Sequence, residues 1–167
     1  MYSARRSIIL IFPFCSISFV QVIIREYSMK DFKDVLEIDR EAFNPRNPSF
    51  DMYVYLTYGS DIFVADFGKK IVGYVVTMDV DPLRGKIISI AVRKEFRGSG
   101  IGEYLMKRAI ERLREKGKKE IALEVRVSNK IAQKLYEKLG FKIAETIPNY
   151  YSDGEDAYYM VLRFNEQ

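Results

Sequence analysis

The sequence predicts an α+β (mixed α/β) domain in which a mixed, mostly antiparallel sheet of seven strands carries helices on both faces. Two observations carry this prediction. Three β-rich segments between residues 62 and 92 are joined by short turns, which is typical of an antiparallel meander. Two helical segments then alternate with β-rich segments, which is the order of a β-α-β-α unit. The 167 residues suffice for one domain with a sizeable core.

The N-terminal half is predicted to contain a strand, two helices and the meander. Residues 22–26 are rich in β-branched side chains and predict the first strand. Ser28 is a helix cap, and Asp31, three residues later, makes a variant of the capping box. Apolar residues then recur at helical spacing as far as Phe43. The remaining elements of this half are a loop at 44–49, a helix at 50–58, and strands at 62–65, 71–78 and 87–92.

The C-terminal half is predicted to contain two helices and three strands. A long helix over 101–116 has apolar residues on one face and ends at Gly117. A shorter helix over 129–139 ends at Gly140. The predicted strands are 121–127, 141–146 and 157–164, and the last two form a hairpin.

The first twenty residues differ in character from the rest of the chain. Arg5 and Arg6 precede an apolar run, interrupted by Pro13, that resembles a weak signal peptide without a cleavage site of small residues. The run is also marginal as a membrane span, which needs about 20 apolar residues. We therefore expect residues 1–20 to be an accessory extension or the product of an upstream start codon. We expect residues 21–167 to be the functional domain of a cytoplasmic protein without a membrane partner.

The composition excludes several kinds of active site. The chain has no His, which removes Ser-His and Cys-His nucleophilic machinery and most zinc sites. Its one Cys, Cys15, permits neither an internal disulfide nor a metal cluster held by cysteines. A formal charge of +4 suits a solvated surface rather than the basic stripe of a nucleic-acid binder. Acid–base chemistry must therefore use Glu, Asp, Tyr, Lys or a terminus.

A glycine-rich loop stands between the meander and the long helix. It reads Arg97-Gly98-Ser99-Gly100-Ile101-Gly102. Its glycines allow a tight turn in which successive backbone N–H groups point inward, and the helix N-terminus completes a cradle for an anion. Arg93 and Lys94 add positive charge beside it. The loop therefore predicts a site for a pyrophosphate.

Two other interpretations of this loop are open. In the first, the glycines only turn the chain into the helix, although three Gly in five positions exceed what a turn requires. The other is a Rossmann dinucleotide site, which needs G-x-G-x-x-G after the first strand of a βαβ unit. Here the spacing is G-x-G-x-G and the strand belongs to a meander, so an oxidoreductase is the remote alternative.

The loop resembles the R/Q-x-x-G-x-G/A acetyl-CoA loop of the GNAT superfamily, and the resemblance extends over residues 22–164. Segments 88–92, 123–129 and 135–141 also look like GNAT segments, in the same order. Residues 149–158 are similar to the protein N-terminal acetyltransferase branch, which includes ribosomal-protein-alanine acetyltransferases and archaeal and eukaryotic catalytic subunits. The resemblance implies a GNAT fold and acetyl transfer to the α-amino group of protein N-termini by direct attack.

The resemblance also implies acetyl-CoA as cosubstrate, without a metal. In the family, the strand before the loop diverges from its neighbour, and its free backbone groups hold the pantetheine arm; these positions are Ile90, Ala91 and Val92. The loop residues 97–102 are expected to bind the pyrophosphate. Asn129 is expected to contact CoA, although Asn also favours the N-cap position of a helix.

Two residues are implied as catalytic. Tyr136 lies two turns after Asn129 on a similar helix face and matches the general-acid Tyr of the family, which also contacts CoA. By pattern alone it is one more aromatic of an amphipathic helix. Glu124 stands between two apolar strand residues, so alternation places it on the opposite face. It matches the glutamate used as general base, whereas its pattern alone indicates a solvent-facing residue.

The substrate side is implied by two segments. Tyr150 and Tyr151 precede an Asp-Gly turn, and such Tyr residues help to form the peptide tunnel of the N-terminal acetyltransferase branch. The loop that begins at Phe43 and Asn44 is expected to form the other wall, and Glu124 to face the substrate as well. By residue pattern alone, the Tyr pair is a hairpin with aromatic ends.

Two positions depart from the family pattern. Arg46 and Asn47 follow Pro45 in a loop where relatives often carry Glu after a Pro, so a substrate role for a loop carboxylate is not supported. Lys86 stands where some archaeal relatives have His, so this chain has no proton route assisted by His.

The expected partners are protein or peptide N-termini, ribosomal proteins among them, with no nucleic acid required and a monomer or homodimer as the assembly. An alternative within enzymes is acetylation of a small amine such as a polyamine, because fold alone does not decide the substrate. Such enzymes commonly need acidic pockets, and the Tyr pair argues against one. A non-catalytic acyl-CoA-binding module is a further alternative, against which Glu124 and Tyr136 argue.

Overall fold

The computed structural model describes residues 7–11, 20–43, 48–59 and 61–164. Its strands are β1 (Ser7–Ile11), β2 (Val20–Glu26), β3 (Asp61–Asp66), β4 (Ile71–Asp79), β5 (Arg84–Val92), β6 (Glu120–Arg126), β7 (Lys142–Ile147) and β8 (Ala157–Arg163). Its α-helices are α1 (Phe32–Phe43), α2 (Pro48–Tyr58), α3 (Ile101–Glu115) and α4 (Lys130–Lys138). Short 3₁₀ turns precede α1 at Met29–Asp31 and the glycine loop at Lys94–Phe96.

The strands form one sheet in the order β1-β2-β3-β4-β5-β6-β8-β7. All neighbouring pairs are antiparallel except β5 and β6, which are parallel. All seven predicted strands are present, and the predicted fold class is confirmed. The eighth strand, β1, comes from the predicted extension and pairs along β2, giving backbone partners to an edge that the other strands leave open. The sequence interpretation missed this strand because it considered the apolar run only as a signal peptide, a membrane span or an accessory extension. The domain boundary at residues 20 and 21 stays a prediction.

The entry into α1 is fixed by the predicted capping-box variant. The Ser28 backbone N–H donates to Asp31 Oδ2 over 2.8 Å. Arg25 of β2 donates from both terminal nitrogens to the same carboxylate and from Nε to Asp66 of β3. Burial by itself raises the pKa of Asp31, but the bonds from Arg25 and Ser28 outweigh it and the net shift is downward. These bonds anchor the start of α1 to strands β2 and β3.

Two hydrophobic cores lie on opposite faces of the sheet. Helix α3 buries Leu105, Ala109 and Leu113 against the first core, and each fully buried Leu contributes about 1.5–3 kcal/mol. Helix α1 buries Val35 and Ile38 in the second core. Within β3, alternate residues belong to different cores, as the pleat of a strand requires. The prediction of helices on both faces is therefore confirmed.

Strands β5 and β6 pair only at one end and then diverge. Arg84–Lys86 pairs with Glu120–Ala122, and no pairing continues beyond Lys86. The ladder between β4 and β5 also skips Ile88, because Val76 is opposite Ser89 while Thr77 is opposite Ile87. Such a bulge changes the direction in which side chains point. Ile87 and Ile90, which are three residues apart, consequently both pack in the first core, whereas Ile88 between them packs against the second.

Within the described residues, no helix is long and apolar enough to cross a membrane. The same part of the chain contains no group of three or more acidic, His or Cys side chains that could hold a metal ion.

Candidate active site

A cavity of about 610 Å³ lies where β5 and β6 diverge. It passes between the two cores: Ile90, Leu123 and Tyr136 belong to the first, while Tyr55 and Ile88 belong to the second. Residues from both faces of the sheet therefore line the same cavity. The lining residues are Ala42, Phe43, Tyr55, Ile87, Ile88, Ser89, Ile90, Leu123, Glu124, Arg126, Asn129, Tyr136, Tyr150, Tyr151 and Ser152.

The cavity brings together many of the residues predicted from sequence. Those that line it are Phe43, Ile90, Glu124, Asn129, Tyr136, Tyr150 and Tyr151. Ala91, Val92 and the loop 97–102 are not in its lining. Ala91 is buried in the second core, and the Val92 carbonyl accepts a hydrogen bond from Arg97 Nε over 3.0 Å. Asn44 lies outside the described residues, so its place in the substrate wall stays a prediction.

The glycine loop has the backbone conformation of an anion cradle. Gly98 and Gly100 have φ of 76° and 86°, in the left-handed region that favours glycine. Gly100 is the N-cap of α3, whose first N–H groups have no partner within the helix. Ile101 is 1% exposed and anchors the helix start in the core. Residues 97–102 include one Arg and no acidic side chain, so they fit a diphosphate.

Glu124 lies on β6 beside the point of divergence and forms an ion pair across it. Its Oε1 is 2.7 Å from Nζ of Lys86, and the two side chains are 11% and 24% exposed. Lys86 is the last residue of β5 to pair with β6. The ion pair therefore stands at the closed end of the gap. The sequence interpretation noted Lys86 only as a departure from relatives, because nothing local indicates that it reaches Glu124.

Tyr136 is almost fully buried at the cavity. Its ring is 6.1 Å from that of Phe141, which follows α4. Burial, and to a smaller extent the nearby Tyr151, raises the pKa of Tyr136 to about 12. The phenol therefore keeps its proton over the range in which enzymes usually work. On the same helix, Asn129 Oδ1 accepts from the Ala132 N–H over 3.1 Å, so the N-cap interpretation is confirmed. A contact of Asn129 with CoA stays a prediction.

Tyr150 and Tyr151 form an aromatic wall that is held by charges behind it. Their ring centres are 5.0 Å apart in an edge-to-face arrangement. The Arg126 guanidinium lies 3.9 Å from the Tyr151 ring centre and pairs with Asp153 and Glu155. Bonds from Ser128, with help from Arg126, lower the pKa of Glu155 to about 2. The wall is therefore tied to β6 and to the start of α4.

A cluster of polar residues behind the cavity was missed by the sequence analysis. Asp39 of α1 is fully buried and accepts hydrogen bonds from Tyr55 and Tyr74, which in turn contact Ser89. Tyr55 and Ser89 also line the cavity. The available signals were Asp39 on an apolar helix face and Ser89 as the one polar residue in residues 87–92. Neither signal indicates that four separate segments meet.

The strands β5 and β6 diverge beside an anion loop at a helix start, and a carboxylate and a phenol face the cavity between them. This arrangement defines a transferase that uses an acyl-CoA donor. Comparison with known proteins agrees with this class. The acetyltransferase (GNAT) family matches residues 32–141, which is more than half of the sequence. The chain therefore belongs to the acetyltransferase (GNAT) family.

Individual relatives cover nearly the whole chain. An uncharacterized N-acetyltransferase of Methanocaldococcus jannaschii is 41% identical over 145 residues, which are 85% of this chain and 92% of the relative. An N-alpha-acetyltransferase of Sulfurisphaera tokodaii is 34% identical over 150 residues, 82% of this chain and 90% of the relative. The crystal structure of Ard1 from Thermoplasma volcanium superimposes with a TM-score of 0.80 at 30% identity, covering 87% of this chain and 99% of that protein.

These comparisons confirm the predicted GNAT fold and the acetyltransferase class. Solved structures of the same fold contain bound acetyl-CoA or CoA, in agreement with the predicted cosubstrate. They do not test the roles of individual side chains. The catalytic roles of Glu124 and Tyr136 and the substrate roles of Phe43, Tyr150 and Tyr151 stay predictions that rest on the geometry above.

Proposed function

We propose that this enzyme transfers acetyl from acetyl-CoA to the α-amino group of protein N-termini in the cytoplasm, with ribosomal proteins among its candidate substrates. One observation carries the proposal: Glu124 and Tyr136 face the same cavity, and the Tyr150–Tyr151 wall closes its side. The relative from Sulfurisphaera tokodaii, named N-alpha-acetyltransferase, supports the same substrate class.

The chemistry of the nucleophile favours an N-terminus over a lysine side chain. An amine must be neutral to attack a thioester. With a pKa of about 7.7–8.0, roughly a tenth of α-amino groups are neutral at pH 7, whereas a Lys side chain near 10.4 is below about 0.1% neutral. A carboxylate that acts through a water is a sufficient base for the former. Glu124 is that carboxylate, and Lys86 holds one of its oxygens.

Direct attack of the amine suits the residues present. The chain has no His to activate a Ser, and its one thiol, Cys15, lies outside the described residues. Glu124 takes the proton from the attacking nitrogen through a water. N–H groups of β5 beyond Lys86, where the ladder to β6 has ended, stabilise the negative charge on the thioester oxygen, and Tyr136 gives a hydrogen bond or its proton to the departing sulfur.

The glycine loop and α3 account for the binding of the cosubstrate. N–H groups at the start of α3 and the Arg97 side chain would hold the pyrophosphate, while the open edge of β5 would hold the pantetheine arm. When bound, acetyl-CoA supplies the activated acetyl group. The chain positions that group at the gap, where both catalytic side chains lie.

Acetylation of a polyamine is less well supported by the cavity. A site for a polycation needs an excess of negative charge. Among the residues that line the cavity, Glu124 is the one acidic side chain, and Lys86 neutralises it. Arg126, the other charged residue of the lining, is paired with Asp153 and Glu155, which do not line the cavity.

The proposal is tested with purified enzyme, acetyl-CoA and a library of short peptides varied at positions one and two. Each peptide is supplied with a free and with a blocked N-terminus, and spermidine is tested in parallel. We expect acetylation of free peptides and none of their blocked forms. Acetylation of spermidine with no reaction on any free peptide would instead establish the small-amine alternative.

A further inference from the structure

Four side-chain oxygens form a closed ring behind the cavity. Asp39 Oδ1 accepts from Tyr74 over 2.5 Å and from Tyr55 over 3.0 Å. The Tyr55 hydroxyl is also directed at Ser89 Oγ as a donor over 3.1 Å, and Ser89 Oγ is 2.9 Å from the Tyr74 hydroxyl, where either oxygen can donate. These residues come from α1, α2, β4 and β5. The ring thus connects a buried carboxylate to Ser89 in the cavity wall.

The ring has four contacts but only three hydroxyl hydrogens. Each phenol and the serine carry one hydrogen, and a carboxylate carries none. Hydrogen bonds to a carboxylate are about twice as strong as those between neutral groups, so both phenol hydrogens go to Asp39. The one Tyr55 hydrogen, which could also reach Ser89, is then held by Asp39. Ser89 gives its own hydrogen to the Tyr74 oxygen, the contact in which either atom can donate.

Burial of Asp39 enforces this arrangement. The side chain is fully buried, and its Oδ2 has no hydrogen-bond partner among the described residues. A buried carboxylate that lost a donor as well would be strongly destabilised, so the two phenols stay directed at it. Burial raises the pKa of Tyr55 and of Tyr74 well above the ordinary value, which keeps both phenols protonated as donors.

The consequence for Ser89 is that its remaining lone pair is open towards the cavity while its hydrogen is directed away. Ser89 lines the cavity and is 8% exposed. The bulge of β5 at Ile88 sets it on this side of the sheet. A carbonyl or a carboxylate at this place would find no hydrogen, whereas an N–H donor would find an acceptor.

We infer that Ser89 Oγ accepts a hydrogen bond from the α-amino group of the substrate and thereby holds the nitrogen in the cavity that Glu124 also faces. This inference rests on the proposed function. The α-amino group is the donor that must enter this cavity, and it carries N–H hydrogens in both its neutral and its charged form. Ser89 is thus a specificity-determining residue that selects for a free N-terminus before any proton is removed.

The test compares two ligands on each variant of the full chain saturated with CoA. One ligand is a short peptide that the wild-type enzyme acetylates, and the other is the same peptide without its α-amino group. The ratio of their two dissociation constants measures recognition of that group alone. This ratio does not depend on the fraction of folded protein, so loss of stability in a variant cannot imitate the effect.

For Ser89→Ala, we expect the preference for the amino peptide to fall about tenfold, with the affinity for the other peptide unchanged. Ser89→Thr, which keeps the hydroxyl, should restore most of the preference. Thr77→Val, which removes a buried hydroxyl on β4 outside the cavity lining, is the matched control and should keep the wild-type ratio.

An unchanged ratio in Ser89→Ala would overturn the inference while leaving the proposed function intact. A fall of the same size in the ratio for Thr77→Val would overturn it as well, because loss of any buried hydroxyl would then weaken recognition of the amino group. If the wild-type enzyme acetylates no peptide at all, it is the proposed function that fails.

Discussion

The glycine loop and the cavity beside it are built in different ways. The loop is one run of consecutive residues, 97–102, and the groups proposed to bind the diphosphate are backbone N–H groups at a helix start. The cavity is lined from α1, α2, β5, β6, α4 and the segment that contains Tyr150. A local motif therefore determines the first site. Side chains converge on the second only after the sheet has formed, so its parts are coupled to the fold.

The Gly100→Glu variant tests most directly whether the loop binds the cosubstrate independently of the cavity. Gly100 has φ of 86°, and a Glu side chain there adds bulk and negative charge to the anion cradle. We expect binding of acetyl-CoA, measured by titration calorimetry, to fall below detection. Gly117→Glu is the matched control, because Gly117 has φ of 81° at the other end of α3. Equal loss in both variants would mean that backbone strain, not the loop, is responsible.

The two residues proposed as catalytic, Glu124 and Tyr136, should show the opposite pattern: their variants keep the affinity for acetyl-CoA and lose the rate of acetyl transfer. We expect Glu124→Gln and Tyr136→Phe each to lower kcat by roughly 10–10³-fold, while the affinity for acetyl-CoA changes less. Steady-state kinetics and titrations on the same preparations measure both quantities. Wild-type kcat in both variants would leave positioning alone as the source of the rate.

The sequence was sufficient for seven of the eight described strands, for the helices and for the loop, because all of these depend on local signals, whereas β1 was missed. Gly117 and Gly140 end helices, and Gly100 begins one, as their φ values of 81°, 95° and 86° require. Glu124 and Tyr136 were assigned through the resemblance to a family and do face one cavity. Lys86 and Asp39 could not be assigned, because their partners lie on strands or helices far away in the chain.

The pH profile sharpens the assignment of Tyr136. Its pKa is raised from 10.0 to about 12, so the phenol is still protonated at pH 10. We expect kcat for an acceptor peptide not to decline through this group until about pH 11. A decline of kcat centred near pH 9, abolished by Tyr136→Phe, would contradict the role of a buried acid.

The ion pair at the closed end of the gap should give a moderate effect. Lys86→Met leaves the Glu124 carboxylate, 11% exposed, without its cation, whereas Lys86→Arg keeps the charge. Because both side chains retain some contact with water, we expect the free energy of unfolding to fall by about 1–2 kcal/mol in the Met variant. We expect kcat/KM to fall by about tenfold in the Met variant. The Arg variant should lie between the Met variant and the wild type. Urea unfolding and kinetics of both variants supply the check, and equal behaviour of Met and Arg would exclude a role for the charge.

The smallest effect is expected from removal of the residues before Gln21. Strand β1 pairs with one edge of β2, while β3 pairs with the other edge and remains in place. We therefore expect the shortened chain to fold and to keep its kcat, as judged by circular dichroism and by the peptide assay. Loss of cooperative unfolding would show that β1 belongs to the domain itself.

One measurement tests the central claim, transfer to an α-amino group, most directly. A peptide with a free N-terminus and an internal Lys offers both amines to the enzyme in one molecule. After incubation with acetyl-CoA, tandem mass spectrometry locates the acetyl group. The account predicts acetylation at the α-amino group in large excess over the lysine, because the former is roughly a hundredfold or more richer in neutral amine at pH 7. Acetylation mainly at the internal lysine would contradict it.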